Sequence, residues 1–254
     1  MTELSSSAIM LRRIEYGDYD FIITFFTLKM GKITIIAKYA KKSKKRFAGI
    51  LEPFYFLNIV INKGTKKKRM PVLKEAELAI PFFNIISDIT KTAYAAYWTE
   101  IINSWLEDEE KQSDLFHIYF KTLDMLNSGA LNNQSLHILF QMRFVRIAGI
   151  KPNLEICSKC AKKLDDIKET KIFFNIKKGG IVCNACSSLM SEKTIPISKG
   201  TIKQLLWADS EDIKKAFRIK FTEYALKEGS NLLEKFICYY LGKDLKSLNF
   251  LKMI

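Results

Sequence analysis

Near residue 81 the chain changes its hydrophobic period, and that change demands two kinds of structure in one molecule. Before it, residues 7–14, 21–28, 32–40, 54–61 and 72–79 form short runs rich in Ile, Phe, Thr and Tyr. Turn signals separate them at Tyr16-Gly17-Asp18, Met30-Gly31-Lys32, Lys63-Gly64-Thr65 and Met70-Pro71. β-Branched and aromatic side chains suit a pleated, half-buried surface, so five strands at this spacing predict a small barrel. After it, residues 90–106 place Ala93, Tyr94, Tyr97, Trp98, Ile101, Ile102, Trp105 and Leu106 at three-and-four spacing, with Ser87 or Asp88 available as a cap. Residues 114–126 repeat the pattern, and 134–148 end in a helix stop at Gly149 and Pro152. These three helices are sized to form a bundle, and 202–207, 212–217 and 230–241 continue in helical period. The expected fold class is α+β, with a barrel over 1–80 and a helical domain over 81–254.

Between residues 148 and 198 neither period holds, and four of the five cysteines lie there. Cys157-Ser158-Lys159-Cys160 and Cys183-Asn184-Ala185-Cys186 are two C-x2-C knuckles. A two-residue spacer turns both thiolates of a knuckle to one side at about 2.3 Å from a shared ion, and two knuckles complete a tetrahedron. Residues 171–176 read as a strand, and Gly179-Gly180 would turn the chain back so that the second knuckle meets the first. The spacing predicts a zinc-binding insertion over about 154–190 holding one structural Zn2+, since four sulfurs leave no position for a reactive water. Four buried free thiols and an iron-sulfur cluster are the alternatives; paired knuckles around a hairpin favour zinc. Cys238, beside Phe236 and Ile237, reads as a small core residue.

With 48% hydrophobic residues, 18 Phe, 10 Tyr and 3 Trp, the 254-residue chain can bury a substantial core, which excludes global disorder. No apolar run approaches the roughly 20 residues of a membrane-spanning helix. Glu3, Arg12 and Arg13 interrupt what a signal peptide would require, so a cytoplasmic protein with reduced thiols is expected.

The formal charge is +14, and residues 1–80 hold 16 Lys and Arg against 7 Asp and Glu. A field of that sign attracts polyanions. Lys38, Lys41, Lys42, Lys44, Lys45 and Arg46 crowd the end of an expected strand, and Phe47, Phe54, Tyr55 and Phe56 follow. Cations for phosphates and rings for bases are how small barrels hold single strands, with Phe54 and Phe56 alternatively facing the barrel core. Lys66, Lys67, Lys68 and Arg69 sit in a turn that could flank the same groove.

No catalytic constellation accompanies these features. Phosphate-binding glycine loops, G-x-S-x-G and H-E-x-x-H are all missing. His117 and His137 lie in apolar or aromatic helical stretches, as core or surface imidazoles do. Asp18 with Asp20, or Asp165 with Asp166, are ordinary turn acids that only a nuclease reading would enlist. The expectation is a binding protein and not an enzyme, with a zinc-ribbon RNA-binding, ribosome- or transcription-associated factor as the rival.

The ordered set of motifs resembles the bacterial RecO recombination mediators. It comprises Gly31-Lys32-Ile33 before the basic run, Leu51-Glu52-Pro53-Phe54, Glu75-Ala76-Glu77-Leu78, and Phe140-Gln141-Met142-Arg143-Phe144 leading to Gly149 and Pro152. The Cys157/Cys160 pair and Gly179-Gly180-Ile181-Val182-Cys183 complete it. The resemblance implies an N-terminal OB barrel, a C-terminal helical domain, and a zinc module in members that keep four cysteines. It further implies binding of single- and double-stranded DNA, annealing of complementary strands, work with RecR, and help in loading RecA onto DNA coated by single-strand DNA-binding protein. In some relatives a helical-domain pocket takes the acidic C-terminal tail of that protein, and Arg143 and Arg146 are the matching positions to meet its carboxylates.

Overall fold

The computed structural model describes residues 2–63, 70–188, 194–209 and 220–254. Lys66, Lys67, Lys68, Arg69 and the whole of the expected 212–217 helix lie outside the described residues. The chain divides into two compact units, Met1–Ser128 with Leu245–Ile254, and Gly129–Asp244.

The first unit opens with β1 (Thr2–Tyr16), β2 (Asp20–Thr27), β3 (Gly31–Ala37), β4 (Phe56–Lys63) and β5 (Val72–Ile80). They close as β1-β2-β3-β5-β4, all neighbours antiparallel except β3 and β5, which meet in parallel at Ile36 and Val72. In β3, Gly31, Ile33, Ile35 and Ala37 are buried in strict alternation with half-buried residues, the period-two pattern that barrel closure imposes. β1 runs earlier than the sequence suggested because it serves two partners: Thr2–Ile9 against β4 and Ala8–Tyr16 against β2. The register shift between Met10 and Arg12 bends it from one to the other. Met10, Phe25, Ile35, Leu57, Ile59 and Leu73 fill the interior.

A short turn α1 (Phe83–Ile86) leads into α2 (Ile89–Trp105), whose first turn is capped by Asp88 accepting the Lys91 N–H at 3.0 Å. Ala93, Tyr94, Tyr97, Trp98, Ile101 and Ile102 are buried along it, as their spacing predicts. α3 (Ser113–Ser128) buries Leu115, Phe116, Tyr119, Leu123 and Leu126, and the Tyr119 and Thr99 hydroxyls share a hydrogen bond at 2.6 Å. Phe116 meets Phe26 of β2 edge-on at 5.3 Å, tying α3 to the barrel.

The second unit contains α4 (Asn133–Ile147), the antiparallel sheet β7-β6-β8 built from β6 (Lys171–Asn175), β7 (Gly180–Val182) and β8 (Thr194–Ser198), and the helical turn α5 (Asn184–Ser187). α6 (Lys199–Ala208) and α7 (Glu223–Leu241) pack with α4. His137 on α4 is buried and faces Glu234 of α7 at 3.3 Å, a satisfied core imidazole, whereas His117 is exposed. Cys238 is half-buried on α7. The chain ends in α8 (Lys246–Leu251), which returns to the first unit. There Glu100 of α2 accepts the Lys246 and Ser247 N–H groups at 3.3 and 2.8 Å. Among the described residues no helix is long and apolar enough to cross a membrane.

Candidate metal centre and nucleic-acid interface

Backbone hydrogen bonds bring the four candidate metal ligands together. In the first knuckle the Ala161 N–H donates to the Cys157 carbonyl at 2.9 Å and the Cys157 N–H to the Lys162 carbonyl at 2.8 Å. In the second, the Cys186 and Ser187 N–H groups both donate to the Cys183 carbonyl, opening α5. Asn153, Gly179 and Ile181 then join the two: the Asn153 N–H donates to the Gly179 carbonyl, and the Ile181 N–H to the Asn153 carbonyl. The Ser158 N–H completes the seam by donating to the Ile181 carbonyl at 2.8 Å.

The four sulfurs lie within 4.8 Å of one another. A tetrahedron with metal–sulfur bonds of about 2.3 Å has edges of about 3.8 Å, and Cys160 Sγ stands 3.8 Å from Cys183 Sγ. Geometry and donor set therefore fit one zinc-type ion held by four thiolates. Burial disfavours the Cys157 thiolate, but N–H donors from Cys183, Cys160 and Lys159 outweigh it and bring that thiol down to about 6. A hydrogen bond from its own thiol to Cys183 and the cost of desolvation push Cys186 up to about 12, and burial raises Cys183. Without an ion the four sulfurs cannot all ionise, since each new thiolate repels the last. A divalent cation removes that obstacle.

The basic segment occupies one end of the barrel, where β3 leaves into a 3-10 turn at Ala40–Lys42. Lys38, Lys42, Lys44, Lys45 and Arg46 are exposed. Lys41 differs: its ammonium reaches Glu15 and the Gly17 carbonyl, each at 2.9 Å, and that hydrogen bond holds the Glu15 carboxyl below its ordinary value. Arg46 donates to the Lys38 carbonyl at 2.7 Å and lies over Phe47. Lys45 and Arg46 also line a groove of about 570 Å³ with Ser5, Ser7, Asn58, Glu75 and Glu77.

The aromatic residues expected to offer their faces there do not do so. Phe47 and Tyr55 belong to the barrel core, Phe54 is buried, and Phe56 is half-buried against Phe120 at 4.6 Å. Strand alternation and the inward-folded 47–55 loop claim them for packing. The exposed rings are instead Tyr16, Tyr19 and Tyr39, which flank the lysine run on the β1–β2 and β3 ends. Tyr19 and Tyr39 stack at 6.0 Å with 21° between planes, and Lys42 Nζ lies 4.1 Å over Tyr19. An x-Tyr-Gly-Asp-Tyr turn facing a Lys-Tyr step was the available signal, since a turn cannot bury two tyrosines.

Arg143 and Arg146 share one side of α4. Arg143 is 8% exposed, and burial lowers its pKa, partly offset by the Asp209 carboxylate. Arg146 donates to the Asp209 carbonyl at 2.7 Å, and Lys151 approaches the Asp209 carboxylate at 2.5 Å. Of the turn acids, Asp20 accepts the Tyr39 N–H at 2.8 Å and Asp165 pairs with Lys203 at 3.1 Å.

Comparison with known proteins agrees with this layout. The family model described as recombination protein O N terminal matches residues 1–82, and that described as recombination protein O C terminal matches 86–249. The chain is 42% identical over 257 residues to a DNA repair protein RecO from Desulfosudis oleivorans, covering 100% of this chain and 99% of that one. It is 42% identical over 252 residues to one from Desulfatibacillum aliphaticivorans (99% and 97%), and 31% identical over 250 residues to one from Syntrophus aciditrophicus (98% and 95%).

Proposed function

Because the chain belongs to the recombination protein O family of DNA repair proteins, we propose that it is a recombination mediator that binds single- and double-stranded DNA and anneals complementary strands. In this reading it works with RecR and helps load RecA onto DNA coated by single-strand DNA-binding protein. The observation that carries it is the exposed cationic end of the barrel within a chain similar to RecO proteins along its whole length. Lys38, Lys41, Lys42, Lys44, Lys45 and Arg46 contact phosphates in this reading, as do Lys66, Lys67, Lys68 and Arg69. Neutralising two backbones at once lowers the repulsion between complementary strands, and this needs no covalent chemistry. Arg143 and Arg146 meet the carboxylates of the single-strand DNA-binding protein tail. The metal is zinc and its role is structural: four sulfurs in two knuckles saturate its coordination, so it braces the hairpin and activates no water.

Binding and annealing of labelled oligonucleotides over a salt series test the reading. Affinity should fall linearly with log salt, and replacing Lys42, Lys44 and Lys45 together by Ala should flatten the slope by roughly 2 to 3. A slope unchanged by the triple substitution would remove this surface from the interface. Stronger competition by structured RNA than by DNA would favour the RNA-binding alternative.

A further inference from the structure

The lysine run has a neighbour that phosphate binding does not use. Tyr39 is 65% exposed, yet its backbone sits in the left-handed region at φ 58°, which a side chain with a Cβ adopts only at a cost. Two hydrogen bonds hold it there. The Asp20 carboxylate accepts the Tyr39 N–H at 2.8 Å, and the Tyr19 carbonyl accepts the Lys41 N–H at 3.0 Å, pinning the β1–β2 turn to the β3 exit. Behind Tyr39 lies the Tyr19 ring, itself under the Lys42 ammonium. Strain, clamping and solvent exposure thus combine in a ring that adds nothing to the barrel core. A ring fixed in place before binding loses little entropy on taking a flat partner.

We propose that Tyr39, backed by Tyr19 and flanked by Lys42, is a stacking site for an unpaired nucleobase, and that it gives this barrel a preference for single-stranded over duplex DNA. The proposal rests on the DNA-binding reading above. A base in a duplex already has both faces covered and its edges paired, so it cannot use the ring without unstacking. A base in a single strand can, while its phosphate meets the lysines.

The test uses the full-length protein with a fluorescein-labelled single strand of mixed sequence and its duplex. Tyr39→Ala should weaken single-strand binding about 5- to 100-fold, change duplex binding less than about twofold, and leave the log-salt slope intact, because no cation is removed. Tyr39→Trp should keep wild-type affinity and show added tryptophan quenching by the single strand. Equal losses on both substrates, or no loss on either, overturn the stacking site while the lysine triple substitution still reports on the phosphate surface. Failure of the wild-type chain to bind either oligonucleotide would overturn the underlying reading and the stacking site with it.

Discussion

At the scale of single residues, Gly31 carries more constraint than its turn position suggests. Its φ is +71°, and a Cβ built there would stand 2.0 Å from the Glu110 carbonyl oxygen, because the loop after α2 lies against the start of β3. The Glu109 N–H donates to the Lys32 carbonyl at 2.8 Å in the same contact. Gly17 has a similar φ, +56°, but open space around it. Gly31→Ala should therefore cost about 2–4 kcal/mol, lowering the unfolding midpoint of its unit by roughly 5–15 °C. Gly17→Ala should cost only the backbone term of about 1 kcal/mol. Thermal melts of the two variants side by side check this; equal losses would mean that crowding at Glu110 does not matter. The turn glycine was legible in Met30-Gly31-Lys32. The crowding was not, because its other half lies about 80 residues away along the chain.

At the scale of elements, the junction of β8, α6 and α7 is held by one carboxylate. Glu228 of α7 accepts the Ser198 N–H at 3.0 Å and the Thr201 hydroxyl at 2.6 Å, while Ser198 itself caps α6 by accepting the Thr201 N–H. Burial opposes its charge, but these donors prevail and hold the Glu228 carboxyl below its ordinary value. A carboxylate depressed in the folded state stabilises the fold above its unfolded pKa, and that contribution is lost as pH falls through the folded one. The second unit should thus lose stability below the ordinary carboxylate range, and Glu228→Gln should flatten that acid slope. Denaturant midpoints across pH 3 to 7 would show it, and an identical slope in the variant would exclude Glu228 as its source. The two helices here were readable from period alone, over 202–207 and 230–241, while their caps at Ser198 and Thr222 and their earlier starts emerge only in the structure. β8 was not readable, because residues 194–198 read as a strand only once β6 is beside them to pair with.

At the scale of the whole molecule, the four clustered cysteines all fall in Gly129–Asp244, so an ion held by them would belong to one unit only. Removing it with a chelator should leave four like groups facing one another at the junction of both knuckles, and structural zinc sites contribute folding free energy directly. Calorimetry should show the transition of that unit falling by roughly 10 °C or more while the barrel unit's transition stays within about 2 °C, with zinc restoring it. A chelator that moves neither transition would contradict a bracing metal. The chain's own order determined a great deal: strand and helical periods, the cap at Asp88, the two knuckles, and the concentration of positive charge before residue 81. All of these are local signals, because each depends on residues a few positions apart. Only tertiary structure decided that Phe47 and Tyr55 fill the barrel while Tyr19 and Tyr39 face water, and that the last ten residues return to the first unit. Burial is a property of what arrives from elsewhere in the chain, and no run of neighbouring residues encodes it.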